Sequence, residues 1–145
     1  ALGNLERWKK AIASLDKALA INPHNDLVWN SRGLALGSLG RWKEAIASYD
    51  RALAINPHND LVWNNRGLAL ASLGRWQEAL ESFDKALAIN TDNDLAWNNR
   101  GVALENLGRW EEAIASYDRA LAINPDNDEA QKSRNFALES LNNNN

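Results

Sequence analysis

Apolar and polar residues in this chain do not alternate with a period of two, and runs of β-branched residues are missing, so no strand is expected. The pattern is helical. Residues 60–93 illustrate it. DLVWNNRGLALASL reads as a first helix starting after Asn59 or Asp60 as its cap. Gly74 stands where a glycine ends a helix. RWQEALESFDKALAI, rich in the helix formers Ala, Leu, Glu and Lys, reads as a second helix. NTDN closes the segment, and NPHN or NPDN closes its counterparts, where proline cannot continue a helix.

The same pattern returns every 34 residues. Trp8, Trp42, Trp76 and Trp110 keep that spacing, as do Trp29, Trp63 and Trp97. Residues 26–59, 60–93 and 94–127 repeat nearly line for line, and the first two segments differ at 9 of 34 positions. A fixed period of this size indicates a solenoid. The closeness of the copies points to recent duplication or deliberate design. In this register residues 1–25 hold only a second helix, about Arg7–Ile21. Three full pairs follow, then a lone capping helix at about 128–141 and a polar tail, 142–145. Eight helices are expected in one array over 1–145.

Trp63, Gly67, Leu70, Gly74, Trp76, Ala79, Phe83 and Ala86 are spaced like the signature of the tetratricopeptide repeat, with Pro57 and Pro125 at its closing proline. The marks recur at Trp29, Gly33, Ala45, Tyr49 and Ala52, and at Trp97, Gly101, Ala113, Tyr117 and Ala120. The chain resembles that family over essentially its whole length. Its wording is most similar to bacterial members, cyanobacterial above all, or to a consensus-like design. The resemblance implies an all-α, right-handed superhelical solenoid of antiparallel helix pairs, with the first helices lining a concave surface.

The residues carry a physical logic of their own. Gly67, Ala79 and Ala86 lack bulk, so two helices can cross closely there. Trp63, Leu70, Phe83 and Leu87 fill the surrounding space. One pair cannot bury its apolar faces alone, whereas stacked neighbours can. Two features depart from the family. Arg32, Arg66, Arg100 and Arg134 stand where leucine is usual. Asp16, Asp50, Asp84 and Asp118 recur on the second helices, so an Arg–Asp ladder between units is expected, with the Arg stems on Trp faces. The last helix has Gln131 for Trp and Asn135 for Gly, which suits a polar terminal cap.

Composition narrows the function. Apolar residues make up 45% and charged residues 24%, ordinary for a folded soluble chain. The absence of cysteine removes disulfides, thiolate metal sites and cysteine nucleophiles, and suits the cytoplasm better than secretion. Without methionine, either an initiator was removed before Ala1 or the chain is an excerpt. The net charge of −3, without a basic block, argues against a nucleic-acid partner, and no apolar run of membrane-spanning length occurs. His24 and His58 lie in turns one period apart, about 10 Å by helix-pair spacing, too far to share a metal. Gly33, Gly37 and Gly40 lie on and after a helix and form no phosphate-binding loop. No nucleophile–histidine–acid set can be assembled. No catalytic, metal or cofactor residues are assigned, and the chain reads as non-catalytic.

Setting aside packing residues leaves one stripe on each first helix: Leu61, Asn64, Asn65, Leu68 and Ser72, close to i, i+3/4, i+7 and i+11. Its counterparts are Leu27, Asn30, Ser31, Leu34 and Ser38, and Leu95, Asn98, Asn99, Val102 and Asn106. Aliphatic rows beside amide rows are a binding-site signal, and an Asn row can pair with a peptide backbone whatever its sequence. Relatives with Asn ladders grip extended peptides in this way. Others clamp a terminal carboxylate with Lys and Arg, which this groove lacks apart from Lys132. Glu105, Glu129 and Glu139 make one end acidic. The expected ligand is an extended or short helical peptide or protein segment with aliphatic side chains and a basic residue toward that end. The alternative is a structural, self-assembling or designed repeat protein with no dedicated ligand. The opening and closing helices are complementary half-units, so a monomer or weak head-to-tail self-association is expected.

Overall fold

The computed structural model describes residues 2–143. Eight helices follow in chain order: α1 (Leu2–Ile21), α2 (Asp26–Ser38), α3 (Trp42–Ile55), α4 (Asp60–Ser72), α5 (Trp76–Ile89), α6 (Asp94–Asn106), α7 (Trp110–Ile123) and α8 (Asp128–Asn143). No strand occurs among the described residues. Each helix packs on its neighbours in sequence, most extensively within the pairs α2–α3, α4–α5 and α6–α7. The helices α2, α4, α6 and α8 also touch one another in succession. The helices α3, α5 and α7 do not. The even-numbered helices therefore crowd together on the inner side of the curve.

Local chemistry sets the helix ends. The Asn59 side chain accepts hydrogen bonds from the Leu61 and Val62 amides, so Asn59, rather than Asp60, is the cap of α4. Asn25 and Asn93 do the same for α2 and α6. Gly40, Gly74 and Gly108 have φ of 74°, 74° and 76°. The following arginine amide returns to the carbonyl five residues back, as in Arg75 N–H to Leu70 O at 2.9 Å. That left-handed glycine closure ends each first helix.

The same device explains where α1 departs from expectation. It begins at Leu2, not near Arg7, and runs unbroken for 20 residues. In register, Glu6 occupies the place of Gly40, so the left-handed residue that would interrupt the helix is absent. The closing helix is also longer than expected and takes up Asn142 and Asn143 of the presumed tail. Ala1, Asn144 and Asn145 lie outside the described residues.

The core sits between the two layers. Leu36, Leu70 and Leu104 are fully buried, and Tyr49, Phe83 and Tyr117 are nearly so. Gly33, Gly67 and Gly101 lie directly against those aromatic rings: a Cβ on Gly67 would sit 2.4 Å from a Phe83 ring carbon. Apart from Trp8, which is exposed, the tryptophans are half-buried rather than central. Trp29, Trp63 and Trp97 donate their indole N–H to the carbonyls of Pro23, Pro57 and Thr91 at 2.8–2.9 Å. The receiving atom is a backbone carbonyl, so threonine at 91 serves as well as proline.

The Arg–Asp ladder forms. Arg32, Arg66 and Arg100 donate from Nε to Asp16, Asp50 and Asp84 of the preceding unit at 2.6–2.7 Å, and Arg134 pairs with Asp118. Their guanidinium groups lie 5.7–5.9 Å from the centres of the Trp29, Trp63 and Trp97 rings. Sequence reasoning missed the third member. Nη1 of Arg32, Arg66 and Arg100 donates to Ser48, Ser82 and Ser116, which are buried in the second helix of the same unit. Each arginine thus joins the acid of one unit to a buried hydroxyl of the next.

Half-exposed ion pairs contribute little, about 0–1 kcal/mol. A buried hydroxyl that loses its donor costs more. Arg66→Leu is therefore expected to destabilise by about 1–2 kcal/mol in chemical denaturation. Asp50→Asn should change stability by less than about 0.5 kcal/mol. Equal effects from both substitutions would show that the ion pair, not Ser82, carries the contact.

Candidate functional site

The inner layer presents the stripe expected on α2, α4 and α6. Leu27, Leu61 and Leu95, large aliphatic side chains, are 64%, 60% and 57% exposed. Leu34 and Leu68 are also exposed, and Val102 is half-buried. The leucines stay exposed because they project from the inner face, where no second helix covers them.

The amide rows are partly engaged. Asn65 donates to Asn30 Oδ1 at 3.2 Å, and Asn99 donates to Asn64 Oδ1 at 3.1 Å. An Asn amide has two N–H groups and an oxygen with two lone pairs, so each pair keeps capacity for a ligand. These four side chains are half-buried. Asn98 differs: it is buried, and its Oδ1 has no hydrogen-bond partner. The residue in register with Asn65 and Asn99 on α8 is Ser133, whose shorter side chain does not supply the equivalent amide donor. The ladder stops at that step.

Ser31 is exposed. The Ser38 and Ser72 hydroxyls donate back to the Leu34 and Leu68 carbonyls at 3.0 Å, and the Asn106 amide donates to the Val102 carbonyl at 2.8 Å. Those side chains serve their own helices. Glu105 is not a free charge on the groove wall. It is half-buried and accepts a hydrogen bond from the Tyr117 hydroxyl at 2.8 Å. Burial raises its pKa from the ordinary carboxylate value, and the Tyr117 hydrogen bond opposes that rise in part. Glu129 and Glu139 are exposed, as is Lys132.

His24 and His58 sit exposed in their turns, where their backbone amides donate to Asn22 and Asn56. No group of three metal-ligating side chains converges among the described residues. No helix there is long and apolar enough to cross a membrane.

Among curated proteins, none matches the sequence. Solved structures do resemble the fold. A crystal structure of MamA superposes with a TM-score of 0.90 at 23% identity, covering 93% of this chain and 79% of MamA. The first repeat domain of Spaghetti (RPAP3), solved with the HSP90 peptide SRMEEVD, gives 0.79 at 29% identity, covering 80% of this chain and 92% of that one. YrrB, described as having an unusual peptide-binding site, gives 0.83 at 27% identity, covering 90% and 67%. The tetratricopeptide repeat profile matches residues 1–60, 30–94 and 64–128. Together with the 34-residue register, the glycine-on-aromatic contacts and the paired helices, this match establishes that the chain belongs to the tetratricopeptide repeat family.

Proposed function

We propose that this protein-interaction scaffold holds an extended peptide or protein segment against the inner face of α2, α4 and α6, without catalysis. The observation that carries the reading is the row Leu27, Leu61 and Leu95, exposed beside the half-buried amides of Asn30, Asn64, Asn65 and Asn99. Exposed aliphatic rows next to hydrogen-bonding rows fit a ligand with alternating side chains and an accessible backbone. The Spaghetti (RPAP3) domain bound to an HSP90 peptide, and YrrB with its peptide-binding site, support this reading by analogy of fold. Aliphatic ligand side chains meet the leucine rows, and a basic residue faces Glu129 and Glu139.

The test uses a peptide selected from a displayed library on the folded chain. Asn65→Ala combined with Asn99→Ala should weaken its binding by about 1–3 kcal/mol, because the peptide amides lose their partners. Glu81→Ala, on the exposed face of α5, should leave binding unchanged. Unchanged affinity in the double variant, with loss in the α5 variant, would move the site to the outer face.

A second reading, weak head-to-tail association, is favoured by the end helices. Leu5 and Trp8 of α1 and Phe136 of α8 are exposed. Ser14 of α1 is in register with the buried Ser48, Ser82 and Ser116, and is exposed. A second copy's Arg134 could reach it as Arg32 reaches Ser48. Sedimentation should show a monomer at micromolar concentration and association near millimolar. A monomer at millimolar concentration contradicts this reading.

A further inference from the structure

At one pair of positions beside the groove the three full units carry three different combinations. Gly37 accompanies Tyr49, Ala71 accompanies Phe83, and Glu105 accompanies Tyr117. Each pair is separated by 12 residues, from the end of the first helix to the middle of the second. In the third unit the Glu105 carboxylate accepts a hydrogen bond from the Tyr117 hydroxyl. In the first unit, glycine leaves that place open. An open notch of about 300 Å³ lies there, lined by Leu34, Gly37, Ser38, Trp42, Tyr49, Asn65 and Leu68. The Tyr49 hydroxyl has no partner among the described residues, and burial pushes its pKa up to about 12, so it is a neutral donor at physiological pH. In the second unit Phe83 carries no hydroxyl and Ala71 no acceptor, so neither chemistry is present.

Resting on the groove reading above, we propose that the Gly37 notch is a subsite for an acidic side chain of the bound peptide. Its carboxylate takes the hydrogen bond of the Tyr49 hydroxyl, as Glu105 takes that of Tyr117. Its methylenes lie against Leu34, Leu68 and the Trp42 ring. The third unit shows what this scaffold places on a tyrosine at that position, and the first unit leaves the same position for a ligand to fill. The groove is thereby graded, with an acid-accepting notch near α2, apolar contacts at α4 and exposed acids on α8. A ligand with an acidic residue at one end, aliphatic residues between and a basic residue at the other end matches it in a single orientation.

The probe is a set of capped peptides with an alanine–leucine host and a C-terminal-side lysine, in which Glu, Gln or Leu is scanned through the remaining positions. The best Glu peptide should bind about tenfold more tightly than its Leu counterpart, the increment of one hydrogen bond to a charged group. Tyr49→Phe should erase that preference without weakening the Leu peptide, and Phe83 shows that phenylalanine fits this place. Gly37→Glu should reproduce the internal contact of the third unit and lower affinity for the Glu peptide about tenfold. Its Cβ would lie 3.0 Å from the Trp42 ring, so circular dichroism and thermal unfolding accompany the measurement. Glu105→Gly should create a second acid-preferring register. A Glu preference that survives both Tyr49→Phe and Gly37→Glu overturns the subsite, even where binding remains sensitive to Asn65→Ala with Asn99→Ala. Peptides that fail to bind, or whose binding ignores the asparagines, overturn the groove reading and the subsite with it.

Discussion

Gly67→Ala is expected to destabilise the chain by about 2–3 kcal/mol, the range in which an overpacked core loses stability. The substitution would ordinarily favour a helix by about 1 kcal/mol, because alanine is the better helix former. Here the new Cβ would meet three Phe83 ring atoms at 2.4, 2.7 and 2.9 Å. The ring is buried and belongs to the facing helix, so the pair of helices must separate. The sign of the effect therefore separates close packing from local propensity. Phe83→Leu should restore much of the loss in the double variant, since a smaller side chain admits the added methyl. Chemical denaturation of the two single variants and the double variant measures the coupling. A stabilised Gly67→Ala variant would contradict the close approach of α4 and α5.

Leu70→Ala should cost about 3 kcal/mol, as large-to-small substitutions do at sites with no room to relax. Leu70 is fully buried in the middle unit. In an array that contacts only its neighbours, a weakened central unit also uncouples the two ends. The denaturation transition should therefore broaden or split, whereas Ile12→Ala in α1 should fray one end and leave a single main transition. Identical sharp transitions for both variants would show that the array unfolds as one unit without regard to position.

Much of this architecture is legible in the sequence because the period is written in large side chains. The tryptophans at 34-residue spacing and the glycines between them specify the number, type and order of helices before any contact is known. The Arg–Asp ladder is legible for the same reason, since both partners recur in register. Ser48, Ser82 and Ser116 are not. A serine on a helix carries no sign of whether it faces water or core, and only the packing shows that an arginine reaches it. The early start of α1 is visible in retrospect at Glu6, where the left-handed glycine is missing, but the register alone draws the eye to Trp8.

The groove was legible in part. Removing the packing residues left the stripe that the inner face presents, because a helix in a two-layer array has one face for its partner and one to spare. The state of each side chain within the stripe was not legible. Asn98 is buried and Glu105 is tied to Tyr117, both through contacts with a neighbouring helix that spacing within one helix does not encode. Asn65 and Asn99 reach Asn30 and Asn64 across units, so the ladder is bonded internally before any ligand arrives.

Chemical-shift mapping with a library-selected peptide tests the central claim most directly. Backbone amides of the 145-residue chain would be assigned and followed through a titration with the peptide. The account predicts shifts concentrated at Leu27, Asn30, Leu34, Leu61, Asn65, Leu68, Leu95, Asn99 and Val102, on the inner face of α2, α4 and α6. Shifts confined to the outer faces of α3, α5 and α7 would contradict it.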